Sequence, residues 1–134
     1  MRDQKFFFGL CILFLFSCSN KNKVYSKFDM LRIAKDAKSE VEFILPSDLN
    51  SGIKCLLKDG NYNYGPGCLS AHQLKIGDLD FVAVEFDSEE HAYKEALRLK
   101  QCYVRNWLFD EVYGEPSLEQ FVKSVFGGTC PSKE

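Results

Sequence analysis

The sequence predicts an α+β domain built around an antiparallel sheet. A chain of 134 residues is long enough for one domain. Apolar residues make up 46% of it and charged residues 27%, which is ordinary for a globular protein. Segments with helical periodicity are interspersed with short β-rich runs, and Gly or Pro separates them. We expect the domain to cover residues 26–128, with a C-terminal tail at 129–134.

The first helix and strand have clear local signals. Ser26 can cap a helix, with Asp29 as its capping-box partner and apolar residues following at helical spacing. The β-rich run at 41–45 predicts a buried strand. A second helix is expected over 47–59, and Gly60 is expected to end it in the left-handed conformation.

The second half of the domain also contains segments with strand and helix signals. The runs 69–76 and 79–86 predict a β-hairpin with a Gly-Asp turn between them. Asp87 is expected to cap the next helix. The apolar side of that helix is expected to consist of Ala92, Tyr93, Ala96, Leu97 and Leu99. Residues 102–112 predict a fourth strand. Pro116 is then well placed in the first turn of a last helix.

Without the first and last helices, the order is strand, helix, strand, strand, helix, strand. This order is the split βαβ or ferredoxin-like pattern. It predicts a four-stranded antiparallel sheet with two helices on one face, to which the extra N- and C-terminal helices are added. Because many functions use such a fold, the fold alone says little about function.

The first residues of the chain form a separate region. Arg2 and Lys5 precede an uninterrupted run of apolar residues and one glycine at 6–16. Eleven helical residues span about 16 Å, roughly half of the hydrocarbon core of a bilayer. The run is therefore too short for a membrane-spanning helix and is typical of the apolar part of a signal peptide.

The motif LFSC at 15–18 ends this run, and polar residues follow it. It resembles a relaxed lipobox of bacterial lipoproteins. The resemblance implies that residues 1–17 are a signal peptide, that Cys18 carries lipid, and that residues 18–25 tether the domain to the membrane. The protein would then lie in the bacterial cell envelope, facing the periplasm or the exterior. Ser19 favours the outer membrane where the cell has one.

Four of the six cysteines remain when Cys11 leaves with the signal peptide and Cys18 takes up the lipid. The remaining four are Cys55, Cys68, Cys102 and Cys130. An even number of cysteines in an exported domain indicates two disulfides. The pairing that joins positions near in sequence is Cys55–Cys68 with Cys102–Cys130. Four free, buried thiols are the alternative.

Charge and motifs narrow the classes of function. A net charge of −2 and a pI near 5.7 do not give the basic surface by which proteins bind nucleic acid. The sequence has no motif of a nucleophilic hydrolase, a zinc protease or a nucleotide-binding loop. A dyad of Cys68 and His72 requires a free thiol, which a disulfide removes. We therefore expect neither an enzyme nor a bound cofactor.

Two further features indicate binding. Tyr62 and Tyr64 alternate in the Gly-rich loop 60–68, where exposed tyrosines would form a recognition surface; alternatively, the rings pack beneath the loop. The best interpretation is a non-catalytic module for an envelope protein or polymer.

One alternative is an inhibitor or immunity-type lipoprotein that blocks an exported enzyme with its disulfide-bonded loop. Another is a metal-handling protein that uses Cys55, Cys68 and His72. The spacing Cys-x12-Cys-x3-His lacks the CxxC pattern of structural zinc sites, so we expect no metal.

Overall fold

The computed structural model describes residues 24–37, 40–43, 55 and 63–132. The lipobox with Cys18, the expected helix over 47–59 and Tyr62 lie outside the described residues.

Within these residues the chain forms three α-helices and five β-strands. The helices are α1 (Lys27–Asp36), α2 (Glu89–Leu99) and α3 (Pro116–Phe126). The strands are β1 (Val41–Phe43), β2 (Cys68–Ile76), β3 (Leu79–Phe86), β4 (Cys102–Val104) and β5 (Trp107–Asp110). The α+β class is confirmed. None of the helices in this part of the chain is long and apolar enough to cross a membrane.

The strands form one antiparallel sheet in the order β1-β2-β3-β5-β4. The strands β3 and β4 are parallel, with β5 between them and α2 connecting them, so the fold keeps one split βαβ unit. In a ferredoxin-like sheet the first strand lies in the centre. Here β1 lies at the edge, with Val41 opposite Ile76. The strand order is therefore not the ferredoxin-like one.

The physical reason is a turn inside the expected fourth strand. Arg105 has a φ of 51°, and the chain reverses at Arg105 and Asn106. The side chain of Asn106 is buried and donates to the Phe86 carbonyl oxygen at 3.1 Å. This turn gives a hairpin instead of one strand. Its second arm, β5, pairs with β3 and takes the position that the first strand would otherwise occupy.

Helices cover both faces of the sheet. The extra N- and C-terminal helices α1 and α3 share one face and α2 lies on the other, while the second helix expected on the face of α2, over 47–59, lies outside the described residues. Met30 of α1 and Val122 of α3 belong to one apolar cluster with Phe81 and Phe109. Ala96 of α2 belongs to a second cluster on the opposite face. The sheet and loop residues of that second cluster include Tyr64, Ala71, Val82, Val84, Phe86 and Leu108.

The helix starts agree with the sequence signals except at α2. Ser26 accepts from the Asp29 amide at 3.1 Å, and the Asp29 carboxylate accepts from the Ser26 amide at 2.9 Å, which is the expected capping box. Ser88, not Asp87, caps α2, and its hydroxyl accepts from the His91 amide at 3.2 Å. The Asp87 carboxylate instead contacts His91 Nδ1 at 2.5 Å.

The four cysteines of the domain form two disulfides, Cys55–Cys68 and Cys102–Cys130. This is the pairing that the sequence favours. The second disulfide attaches the C-terminal tail to the edge strand β4. There Tyr103 and Thr129 exchange two backbone hydrogen bonds of 2.9 Å each, so the tail covers the edge of the sheet.

Candidate binding groove

Tyr64 lies in the core and not in an exposed recognition surface. Its side chain is 6% exposed and belongs to the apolar cluster beneath α2. Its hydroxyl donates to Asp110 Oδ2 at 2.9 Å. Burial and the nearby Asp110 carboxylate raise the pKa of Tyr64, so the phenol stays protonated and remains a donor. The prediction of an exposed Tyr64 is wrong, and the alternative that its ring packs beneath the loop is correct.

The described part of the loop packs against α2. A Cβ atom added to Gly65 would lie 2.5 Å from Glu95 Oε2, and one added to Gly67 would collide with the His91 ring. The Asp87 amide also donates to the Gly67 carbonyl at 2.8 Å. The two glycines therefore permit a close approach of the loop to the helix. Residues 63–68 of the loop are therefore held against α2.

A serine, a histidine and a glutamate meet on β2 and β3, but in the wrong order for a catalytic triad. Ser70 Oγ lies 3.1 Å from His72 Nε2 and donates to Glu85 Oε2 at 3.3 Å. In a triad the histidine lies between the hydroxyl and the carboxylate. Burial and the charge of Lys27 lower the pKa of His72. The arrangement is a hydrogen-bonded network in which Ser70 lies between His72 and Glu85.

The two cysteines that the metal-handling alternative would use form a disulfide with each other. The sulfur atoms of Cys55 and Cys68 are bonded to each other, so neither is a thiolate ligand beside His72. Among the described residues, no three His, Cys, Asp or Glu side chains are grouped to hold a metal ion.

A small cavity lies between α1, α3 and the sheet. It holds about 30 Å³ and is lined mainly by apolar side chains, with Met30, Leu74 and Phe109 among them. This volume suits one water molecule and is far below that of a ligand pocket. The cavity is therefore a packing feature of the core.

A larger groove of about 190 Å³ runs along the edge of the sheet, between α2 and the C-terminal tail. We call it the edge groove. Its lining residues are Tyr93, Ala96, Leu97, Lys100, Gln101, Tyr103, Thr129, Cys130 and Pro131. Lys100 is the only charged side chain among the described residues that line it. The groove is shallow and mainly apolar, and it suits contact with an extended or flat ligand.

The packing of α2 explains why the groove is apolar. Ala92 and Ala96 are buried, and these small side chains let the helix lie close to the sheet. Glu95 takes the third buried position of the helix and pairs with Arg98. Tyr93 and Leu97 are consequently exposed, Leu97 by 60%. Of the apolar side that the sequence predicts, Ala92 and Ala96 are buried and Leu99 partly so, whereas Tyr93 and Leu97 are exposed because the apolar stripe of α2 is wider than the surface that it covers.

Two aromatic rings form the centre of the edge groove. The ring centroids of Tyr93 and Tyr103 are 5.4 Å apart, at an interplanar angle of 56°. Burial, and to a lesser degree the charge of Glu89, raise the pKa of Tyr103, so its phenol remains a donor in neutral solution. The pair offers both ring surface and hydrogen bonding, as recognition surfaces commonly do.

The other wall of the groove is rigid. Thr129 is fixed by its paired hydrogen bonds with Tyr103, and Cys130 by its disulfide with Cys102. A wall that is already ordered loses little entropy when a ligand binds. The sequence did not single out this site because each of its residues has an ordinary local role. The one sequence feature that could have indicated the groove is the pair of small residues Ala92 and Ala96, four positions apart, next to the larger Tyr93 and Leu97.

No protein-family model, no curated protein and no solved structure matches this chain. The fold and the groove therefore define it only as an α+β domain with two disulfides and an exposed aromatic groove.

Proposed function

We propose that this protein is a small lipid-anchored, extracytoplasmic bacterial protein that acts by binding and not by catalysis. Its ligand is an envelope protein or polymer, and the edge groove is the surface that receives it. The observation that carries the proposal is the exposure of Tyr93 and Leu97 beside Tyr103, opposite a wall that a disulfide holds in place. Such rigid aromatic area is typical of recognition surfaces.

Two features support an envelope location. The lipobox-like motif ending at Cys18 provides the membrane anchor. The two disulfides suit an oxidising compartment outside the cytoplasm. We therefore place the protein on the membrane, facing the periplasm or the exterior, and on the outer membrane of a cell that has two.

The position of the tether is compatible with a free groove. The chain enters the domain at Tyr25, which is hydrogen-bonded to Asn106 in the turn that follows β4. The groove residues Lys100 and Gln101 precede the other end of β4. The tether and the groove residues Lys100 and Gln101 thus adjoin opposite ends of β4.

A matched pair of substitutions tests the proposal. Leu97 and Leu69 are both leucines with 60% exposure, and Leu69 does not line the groove. Leu97→Asp should lower the yield of crosslinked partner in native envelopes at least tenfold, corresponding to about 1.4 kcal/mol. Leu69→Asp should leave the yield unchanged. Equal yields from the two variants would remove the edge groove as the binding site.

A further inference from the structure

The N-terminal segment joins the domain at a fixed point. The Tyr25 amide donates to Asn106 Oδ1 at 2.7 Å, and the Tyr25 carbonyl accepts from Asn106 Nδ2 at 3.2 Å and from Trp107 Nε1 at 2.7 Å. Only six residues separate Tyr25 from Cys18. Seven Cα-to-Cα steps reach at most about 23–25 Å. An anchor at Cys18 would therefore hold the start of α1 close to the membrane.

The exposed apolar side chains of the domain are concentrated near this point. Of the large apolar side chains exposed in the described residues, two line the edge groove, one is Leu69, and the other three are Val24, Phe28 and Leu31. Phe28 is 76% exposed and Val24 is 48% exposed. Met30 and Ala34 are buried, so α1 has a second apolar edge outside the core, on which Phe28 is largely uncovered and Leu31 is 38% exposed beside the small core cavity.

The same region is basic, while the rest of the protein is acidic. Residues 18–38 contain six Lys or Arg and two Asp, a net charge of +4. Residues 39–134 contain nine Lys or Arg and sixteen Asp or Glu, a net charge of −7. The ammonium of Lys27 lies 5.9 Å from the centre of the Phe28 ring, which places charge and apolar surface side by side. A basic helix face with exposed Phe and Leu is typical of helices that lie in a membrane interface.

We propose that the outer face of α1, formed by Val24, Lys27, Phe28 and Leu31, docks on the anionic membrane surface to which Cys18 attaches the protein. This proposal rests on the lipid anchor of the proposed function. Phe28 and Leu31 enter the boundary between headgroups and acyl chains, and the basic side chains contact lipid phosphates. A second protein copy is a poorer occupant, because a stable dimer buries far more surface than these few side chains offer.

Docking through α1 would orient the binding site. The helices α1 and α2 lie on opposite faces of the sheet, since they belong to different apolar clusters. With the outer face of α1 on the membrane, α2 and its groove residues Tyr93 and Leu97 face away from it. The membrane contact and the edge groove thus serve two different partners without competition.

Fluorescence quenching in vesicles tests the proposal. The lipidated full-length protein is reconstituted into phosphatidylethanolamine–phosphatidylglycerol vesicles whose acyl chains carry bromine, a contact quencher. Two variants are compared, Phe28→Trp and Leu97→Trp, both at well-exposed positions. The native Trp107 is buried and contributes the same background to both. We expect the tryptophan at position 28 to be quenched at least about twofold more than that at position 97. The difference should shrink in phosphatidylcholine vesicles, which are not anionic.

The outcomes separate the anchor from the docking face. Co-sedimentation with the vesicles but equal quenching at positions 28 and 97 would overturn the docking and leave the anchor intact. Absence of co-sedimentation would overturn both. A blue-shifted tryptophan at position 28 in a dimer without vesicles would assign the face to a second copy and would also contradict the proposal.

Discussion

Asn106 and Tyr25 lie 81 positions apart in the chain and exchange two hydrogen bonds, from the Tyr25 amide to Asn106 Oδ1 and from Asn106 Nδ2 to the Tyr25 carbonyl. The Asn106 side-chain amide, through Nδ2, also donates to the Phe86 carbonyl at 3.1 Å. One buried side chain thus fixes the turn between β4 and β5, the end of β3, and the point at which the tether enters the domain.

Removing this side chain should destabilise the domain. Asn106→Ala removes the side-chain hydrogen bonds to the Tyr25 amide and the Phe86 carbonyl, while the Tyr25 carbonyl keeps the one from Trp107 Nε1, and each buried group that loses its partner costs about 1–3 kcal/mol. We expect the free energy of unfolding to fall by about 3 kcal/mol, measured by urea denaturation. Asn63→Ala, at an exposed position, is the control and should change it by less than about 0.5 kcal/mol. Equal urea midpoints for the two variants would show that Asn106 does not hold the structure together.

Tyr64 should make stability fall in alkaline solution. Its pKa is raised in the folded protein by burial and by Asp110, so its contribution is complete below the unfolded-state pKa of about 10. Above that pH, deprotonation of the unfolded chain favours unfolding. We expect Tyr64→Phe to be less stable than the natural protein at neutral pH by about 1 kcal/mol, through loss of the hydrogen bond. Above pH 10 the variant should lose stability less steeply.

The control for this pH dependence is Tyr93→Phe, which alters an exposed ring. Denaturation curves of the three proteins, recorded at neutral pH and above pH 10, provide the measurement. If the stability of Tyr64→Phe declines as steeply above pH 10 as that of the natural protein, the Tyr64 phenol is not the cause of the alkaline loss of stability.

Each disulfide should add several kcal/mol. In the chain-entropy description, closing the loop of Cys55–Cys68 contributes about 3 kcal/mol and that of Cys102–Cys130 about 3.5 kcal/mol. Removing the second pair should also release the tail that forms one wall of the edge groove, and partner capture should weaken with it. Replacing the first pair should leave capture unchanged at a temperature where both variants are folded. Non-reducing peptide mapping that recovers four alkylatable thiols would refute both bridges.

Cys18 should be the site of lipid attachment. Cys18→Ala is expected to leave an unprocessed precursor and to abolish incorporation of labelled palmitate. Cys11→Ala is the matched control, because Cys11 lies in the apolar run of the signal peptide and its loss should leave the labelling intact. Undiminished labelling of the Cys18→Ala variant would contradict the anchor.

The features that the sequence predicted well depend on neighbours in the chain. The capping box of Ser26 and Asp29 and the hairpin of β2 and β3 follow from residues a few positions apart, and both are present. The strand order depends instead on which distant segments pair. The turn at Arg105 and Asn106 interrupts an apolar run without Gly or Pro, so its sequence resembles that of one strand.

The candidate site was less predictable than the fold, because exposure depends on tertiary packing. Tyr64 belongs to a loop with the composition of an exposed segment, yet Asp110 gives its hydroxyl a partner that lies 46 positions away. Tyr93 and Leu97 show the reverse, since their spacing is that of a buried helix face. They are exposed because the side of α2 that packs on the sheet is formed by their neighbours, with Ala92 and Ala96 buried.

Site-specific photocrosslinking in living cells tests the binding role of the edge groove most directly. A photoreactive phenylalanine is introduced at Leu97 in the full-length protein and, as a control, at Leu69, which is equally exposed outside the groove. Irradiation should give one discrete adduct from position 97 and none from position 69, and Tyr93→Ser should reduce the adduct. Adducts of the same kind and yield from both positions, or from position 69 alone, would contradict a binding site in the edge groove.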